Sequence, residues 1–127
     1  MKYLCIIIGS GAGGVLRYLL SRWVYSLSSG SFPIGTMVVN LSGCLIIGFL
    51  TGIFEQWIIS PNMRLFVFVG FLGGFTTFST FGLETFNLLK EAEIKYALSN
   101  LLISNILGVG LVFAGFILSQ WLIKVFK

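Results

Sequence analysis

Polar residues are scarce in this chain, and their spacing marks off four long apolar blocks. The blocks run roughly from Leu4 to Tyr25, Pro33 to Trp57, Leu65 to Leu89 and Ala97 to Ile123. Each has about the 20 residues a helix needs to cross the hydrocarbon of a bilayer. The gaps carry turn chemistry: SLSSGSF with Pro33 opening the second block, SPN at 60–62, and the charged KEAEIK at 90–95. Trp23, Trp57 and Trp121 fall near block ends, where amphipathic rings settle at headgroup level. The pattern predicts an all-α membrane protein, four transmembrane helices in one domain over residues 1–127, multi-pass in the cell membrane.

Polar groups inside the blocks are the informative exceptions, because a bilayer interior makes them costly. The third block holds the richest set, GFLGGFTTFSTFGLETF at 70–86, in which Gly73, Gly74, Thr76 and Thr77 make a poor helix centre. Unbroken from Leu65 to Leu89, it would measure about 37 Å against a core of about 30 Å. A break is therefore expected there, exposing main-chain carbonyls of the kind that coordinate ions. The plainer alternative is a glycine packing seam with threonines bonded back onto their own helix. Phe78 and Phe81 lie three apart and share a face, with Ser79 and Thr80 between them. A ring edge carries partial positive charge and can meet an anion without trapping it. Thr36 and Asn40 share a face of the second block, Asn40 about 10 Å into the helix from Pro33. An amide at that depth needs a partner, either another helix or a permeating ion. Asn100 and Ser104 line up in the fourth block, with Tyr96 one turn before and Gly108 one turn after. Arg17 sits in the outer half of the first block, placed to snorkel or to set positive potential over a pore mouth. These donors favour an anion. Glu84 is the only deep carboxylate, and nothing resembles a catalytic pair, so an enzyme is not expected.

Composition strengthens the membrane reading: of 127 residues, 57% are hydrophobic and 9% charged, with a mean hydropathy of +1.01. Soluble domains carry about 25% charged residues. The net charge of +4 comes from Lys and Arg scattered singly between apolar blocks, so no nucleic-acid partner is expected. Cys5 and Cys44 sit in apolar runs and the chain has no His, which argues against a disulfide framework or a soft-metal site. Lys2 and the run Leu4 to Ile8 mimic a signal peptide but are too short for one, so the N-terminus is expected to be retained. Gly9-x-Gly11-x-x-Gly14 mimics a dinucleotide fingerprint. That reading fails, because the chain has no Asp and its first acid is Glu55, beyond a second block. Gly9 with Gly13, and Ser10 with Gly14, instead have the four-residue spacing that lets membrane helices approach closely.

Orientation is close to balanced. Lys2, Arg64, Lys124 and Lys127 fall on one side, against Arg22, Lys90 and Lys95 on the other, with Arg17 a possible fourth. The positive-inside rule has little to act on. Either some other signal sets the topology, or the chain inserts both ways and pairs as an antiparallel dimer.

GGVLRYLLS in the first block, GTMVVNLSGCLIIG in the second and GFLGGFTTFSTF in the third together resemble the Fluc (CrcB) fluoride channels, across nearly the whole chain. The resemblance implies a dual-topology antiparallel dimer, of two copies or with a related subunit, carrying two fluoride pores. By analogy Asn40 contributes a pore donor, Phe78 and Phe81 the ring edges, and Ser79 and Thr80 hydroxyls beside them. Glu84, Asn100 and Ser104 join the conduction path, with Arg17 at the vestibule; Thr36, on the same face as Asn40, is expected in the pore beside it. Main-chain oxygens of Gly73 and Thr76 would hold a central structural sodium. Gly108 lacks a hydroxyl where relatives often have one. A small dual-topology multidrug exporter is the competing class, but it would carry a glutamate in the first span, which here has none. A helical assembly factor would leave the deep polar residues unexplained.

Overall fold

The computed structural model describes residues 1–126; Lys127, part of the charge balance above, lies outside them. The described chain is all-helical, with four stretches long and apolar enough to cross a membrane. Helix α1 spans Lys2–Ser26 and α2 spans Ile34–Gln56. The third stretch is composite: α3 at Pro61–Arg64, a π-helical segment at Leu65–Leu72, α4 at Gly73–Phe75 and α5 at Phe78–Lys90. Helix α6 spans Ile94–Phe126.

The third stretch starts at Pro61, four residues before the expected Leu65. The side chain of Ser60 accepts a hydrogen bond from the Met63 N–H, and proline at the first helical position forfeits only a donor that has no intrahelical partner. The charged turn expected over 90–95 shrinks to Glu91–Glu93. There Ala92 adopts a left-handed conformation (φ 60°), Glu93 N–H bonds Leu88 O, and Ala92 N–H bonds Leu89 O, closing α5 with a Schellman motif. Helix α6 therefore begins three residues before Ala97 and continues past Ile123. At the far end of α2, Arg64 donates to the Phe54 carbonyl at 2.7 Å and lies 5.7 Å over the Phe54 ring, satisfying one of the helix's terminal acceptors.

Glycines set how closely the stretches pack. A side chain at Gly9 or Gly13 would run into the backbone of the third stretch around Phe66, Gly70 and Phe71. Gly74 lies equally close to the Ser10 backbone. The GSGAGG run is thus helix interior whose Gly9–Gly13 pair forms the seam. Gly11 and Gly14 have nothing within 4 Å of where a side chain would stand, so the expected Ser10–Gly14 pairing is only half realised. The α2–α6 contact is built the same way, with Gly48 against Val112 and Gly115 against Leu45 and Phe49. The buried apolar core is small, including Val39, Leu72, Phe75 and Ala97. Large side chains such as Ile7, Leu19, Trp23, Ile106 and Phe113 point outward. An apolar exterior of this extent fits lipid, not water.

Candidate ion-conduction site

The geometry of the site follows from two residues. Thr76 (φ −84°, ψ 157°) and Thr77 (φ −149°, ψ 117°) are extended between α4 and α5. An extended pair in mid-span strands main-chain groups that a helix would satisfy, and unsatisfied groups in lipid are costly. Asn40 of α2 answers both ends of one residue. Its Nδ2 donates to the Thr77 carbonyl at 2.9 Å, and its Oδ1 accepts from the Thr77 N–H at 2.8 Å. The amide thus stands in for a strand neighbour and keeps its second N–H free of those two bonds. Downstream, Thr77 caps α5: its hydroxyl oxygen accepts from the Thr80 N–H at 3.2 Å.

These substitutions free two carbonyls. In a continuous helix Gly73 O would take the Thr77 N–H and Thr76 O the Thr80 N–H. Here those donors go to Asn40 and to the Thr77 side chain. Arg17 approaches Thr76 O at 3.5 Å, the limit of hydrogen-bond range, leaving that oxygen with acceptor capacity.

Beside the interruption lies a cleft of about 340 Å³. Asn40, Gly73, Thr76, Phe78, Phe81 and Ser104 all border it. Among the described residues, no Lys, Arg, Asp or Glu does. The two rings stand 5.6 Å apart, tilted by 43°. Phe81 is 7% exposed and belongs to the core, whereas Phe78 is 81% exposed and projects from the chain. Ser79 and Thr80 are exposed beside them, in contact with the Thr77 hydroxyl, which donates to Thr80 Oγ1 at 3.0 Å.

The other candidates lie elsewhere. Thr36 donates to Glu84 Oε1, as does the Tyr25 hydroxyl at 2.9 Å. Glu84 Oε2 is buried without a hydrogen-bond partner among the described residues. This group adjoins a separate recess of about 200 Å³ bordered by Tyr25, Ser31, Asn87 and Glu91. Asn100, 1% exposed, donates to Thr85 Oγ1 at 2.9 Å, and Thr85 in turn donates to the Phe81 carbonyl at 2.8 Å. Ser104 donates to Asn100 Oδ1 at 3.3 Å. Asn100 therefore joins α6 to the helix carrying Phe81, one step behind the cleft, and Ser104 faces the cleft itself. Gly108 packs on Leu41 and Cys44 of α2. Sequence reasoning missed Tyr25, Thr85 and Asn105. Thr85 follows Phe81 by four residues and Asn105 adjoins Ser104, yet a search for four-spaced polar tracks passes over both.

A small helical membrane protein with an interrupted span, and a cleft bordered by amide and hydroxyl side chains and two phenylalanines with no charged side chain among the described residues, belongs to the class of ion-conducting membrane proteins. Residues 4–116 match the family model described as CrcB-like protein, Camphor Resistance (CrcB). The chain is similar to proteins named fluoride-specific ion channel FluC: 44% identical to that of Desulforapulum autotrophicum over 94% of this chain and 96% of the relative. The figure is 44% for that of Parabacteroides distasonis, over 100% and 99%. It is 43% for that of Pyrococcus horikoshii, over 91% and 93%. The chain belongs to the CrcB (FluC) family, a family of multi-pass ion channels and not of enzymes.

Proposed function

We propose that this chain is a fluoride-selective channel subunit that lets fluoride leave the cytoplasm passively. The observation that carries the reading is the cleft: amide and hydroxyl side chains and two phenylalanines border it, and among the described residues no charged side chain does. Fluoride holds water tightly, so a pore must replace that shell with many placed donors. It must also release the ion, which a fixed cation in the filter would hinder. Asn40 and Ser104 supply polar groups, and Phe78 and Phe81 supply ring edges. Thr36 and Glu84 continue the path toward the recess, Asn100 braces the helix carrying Phe81 from behind the cleft, Ser79 and Thr80 flank the rings, and Arg17 biases the vestibule toward anions.

The cleft is open, and Phe78, which borders it, is largely exposed on the single chain. A second copy, or a related subunit, inserted in the opposite orientation closes it, giving two pores per antiparallel dimer. The near balance of loop charges supports dual topology. A central sodium fits the freed carbonyls of Gly73 and Thr76, which are hard oxygen donors without helical partners. When bound, the ion supplies a positive centre holding the interrupted spans of both subunits together.

Export needs no pump. Hydrogen fluoride enters cells neutral and dissociates inside, and an inside-negative potential drives the anion out with about 2.3 kcal/mol per 100 mV. Purified protein in liposomes under a clamped potential should release fluoride, read by a fluoride electrode, while retaining chloride. Absence of fluoride release would sink the reading, and proton-coupled uptake of a cationic drug would replace it.

A further inference from the structure

We infer that Asn105 is a further fluoride-path donor, supplying at the α6 wall the polar contact that Gly108 cannot. The inference rests on the fluoride-channel reading above. Asn105 sits eleven residues into α6, about 16 Å along the helix axis from Ile94, so it lies within the hydrocarbon zone and not at an interface. It is nevertheless exposed on the isolated chain. An amide facing acyl chains at that depth would strand its polar atoms at a cost of several kcal/mol.

One of its bonds is accounted for: Nδ2 donates to the Leu101 carbonyl at 2.7 Å. That contact leaves a second N–H and the side-chain oxygen without an assigned partner. Asn105 borders the same cleft as Ser104, Asn40, Phe78 and Phe81, which gives those atoms a polar site to serve in place of lipid. The neighbouring positions explain why a donor is wanted there. Asn100 is committed to Thr85 behind the cleft, and Gly108 is packed on Leu41 and Cys44 with no polar side chain to offer. Ser104 alone would leave one hydroxyl for the α6 wall, and that hydroxyl is already shared with Asn100. Asn105 doubles the polar groups on that wall. Its free N–H adds no formal charge, which keeps the cleft releasable.

The test compares Asn105→Ala with Asn105→Ser, two small side chains of nearly equal volume of which only serine can hydrogen-bond. Both are reconstituted as full-length protein, and fluoride efflux is read by electrode alongside thermal unfolding and oligomeric state. The inference predicts unchanged unfolding and assembly for both. It predicts flux near wild type for serine, and a loss of about tenfold for alanine, the upper end of what one hydrogen bond supplies. Equal flux in the two variants, at whatever level, overturns it. So does a loss in alanine accompanied by a fall in unfolding temperature that serine does not show. Wild-type protein that passes no fluoride would instead overturn the channel reading itself.

Discussion

Replacing Asn40 by leucine removes both hydrogen bonds to Thr77 while keeping the branched side-chain shape and the number of heavy atoms. The Thr77 N–H and carbonyl then lose their partners at 2.8 and 2.9 Å. Each orphaned main-chain group costs about 1–3 kcal/mol, giving about 2–6 kcal/mol for the pair. Two effects lower the figure. Hydrogen bonds between membrane helices average only about 0.6 kcal/mol because the reference state also finds partners. The span can also recover one bond by closing Thr77 N–H onto Gly73 O, at the cost of the extended geometry. The expected destabilisation is therefore about 2–4 kcal/mol, a factor of about 30 or more in the folding equilibrium. Denaturant titration in mixed micelles, followed by tryptophan fluorescence, measures it. Amide exchange at Thr77 gives the local readout: slow in the wild type, faster by a similar factor in Asn40→Leu. Unfolding within about 0.5 kcal/mol of wild type together with unchanged Thr77 exchange would refute the reasoning, since both observables depend on the same two bonds.

Gly13→Ala should prise α1 from the third stretch, because its side chain would enter the Phe71 backbone, whereas Gly14→Ala, facing open space, should unfold at the wild-type temperature; unfolding midpoints of the pair decide. Phe78→Ile should abolish fluoride flux and cost less stability than Phe81→Ile, since Phe78 is exposed on the single chain and Phe81 is in its core, read by electrode and thermal scan. Asn100→Leu and Thr85→Val should each destabilise, and the double variant should fall short of their sum by about 1 kcal/mol; strict additivity would show that the 2.9 Å bond contributes nothing.

How much of this was legible in the sequence depended on the physics behind each signal. The four spans were, because a bilayer demands long apolar helices and turn residues between them, and the structure has four helical stretches of that kind. Their ends moved by up to four residues where local hydrogen bonding decided: the Ser60 cap at one end and the left-handed Ala92 at another. The Gly9–Gly13 seam was legible from spacing, but which of two overlapping small-residue pairs would be used was not. Periodicity puts both on a helix without saying which faces a neighbour. For the site, the sequence singled out Asn40 as an amide in need of a partner. It did not reveal that the partner is the main chain of Thr77, because that contact joins residues 37 apart. Asn100 and Ser104 share a face as expected, yet only Ser104 borders the cleft. A one-helix pattern cannot tell a pore wall from the layer behind it. Asn105 was passed over for the opposite reason: it stands out by depth and exposure and not by period.

The most direct test is whether this chain alone passes fluoride and rejects chloride. A voltage-clamped planar bilayer containing only the purified protein, with a tenfold fluoride gradient and equal chloride on both sides, gives the answer as a reversal potential. The account predicts a shift of about 59 mV, the full value for a single monovalent ion, and no shift when chloride carries the gradient. Equal shifts for the two ions, or no current with fluoride present, would contradict it.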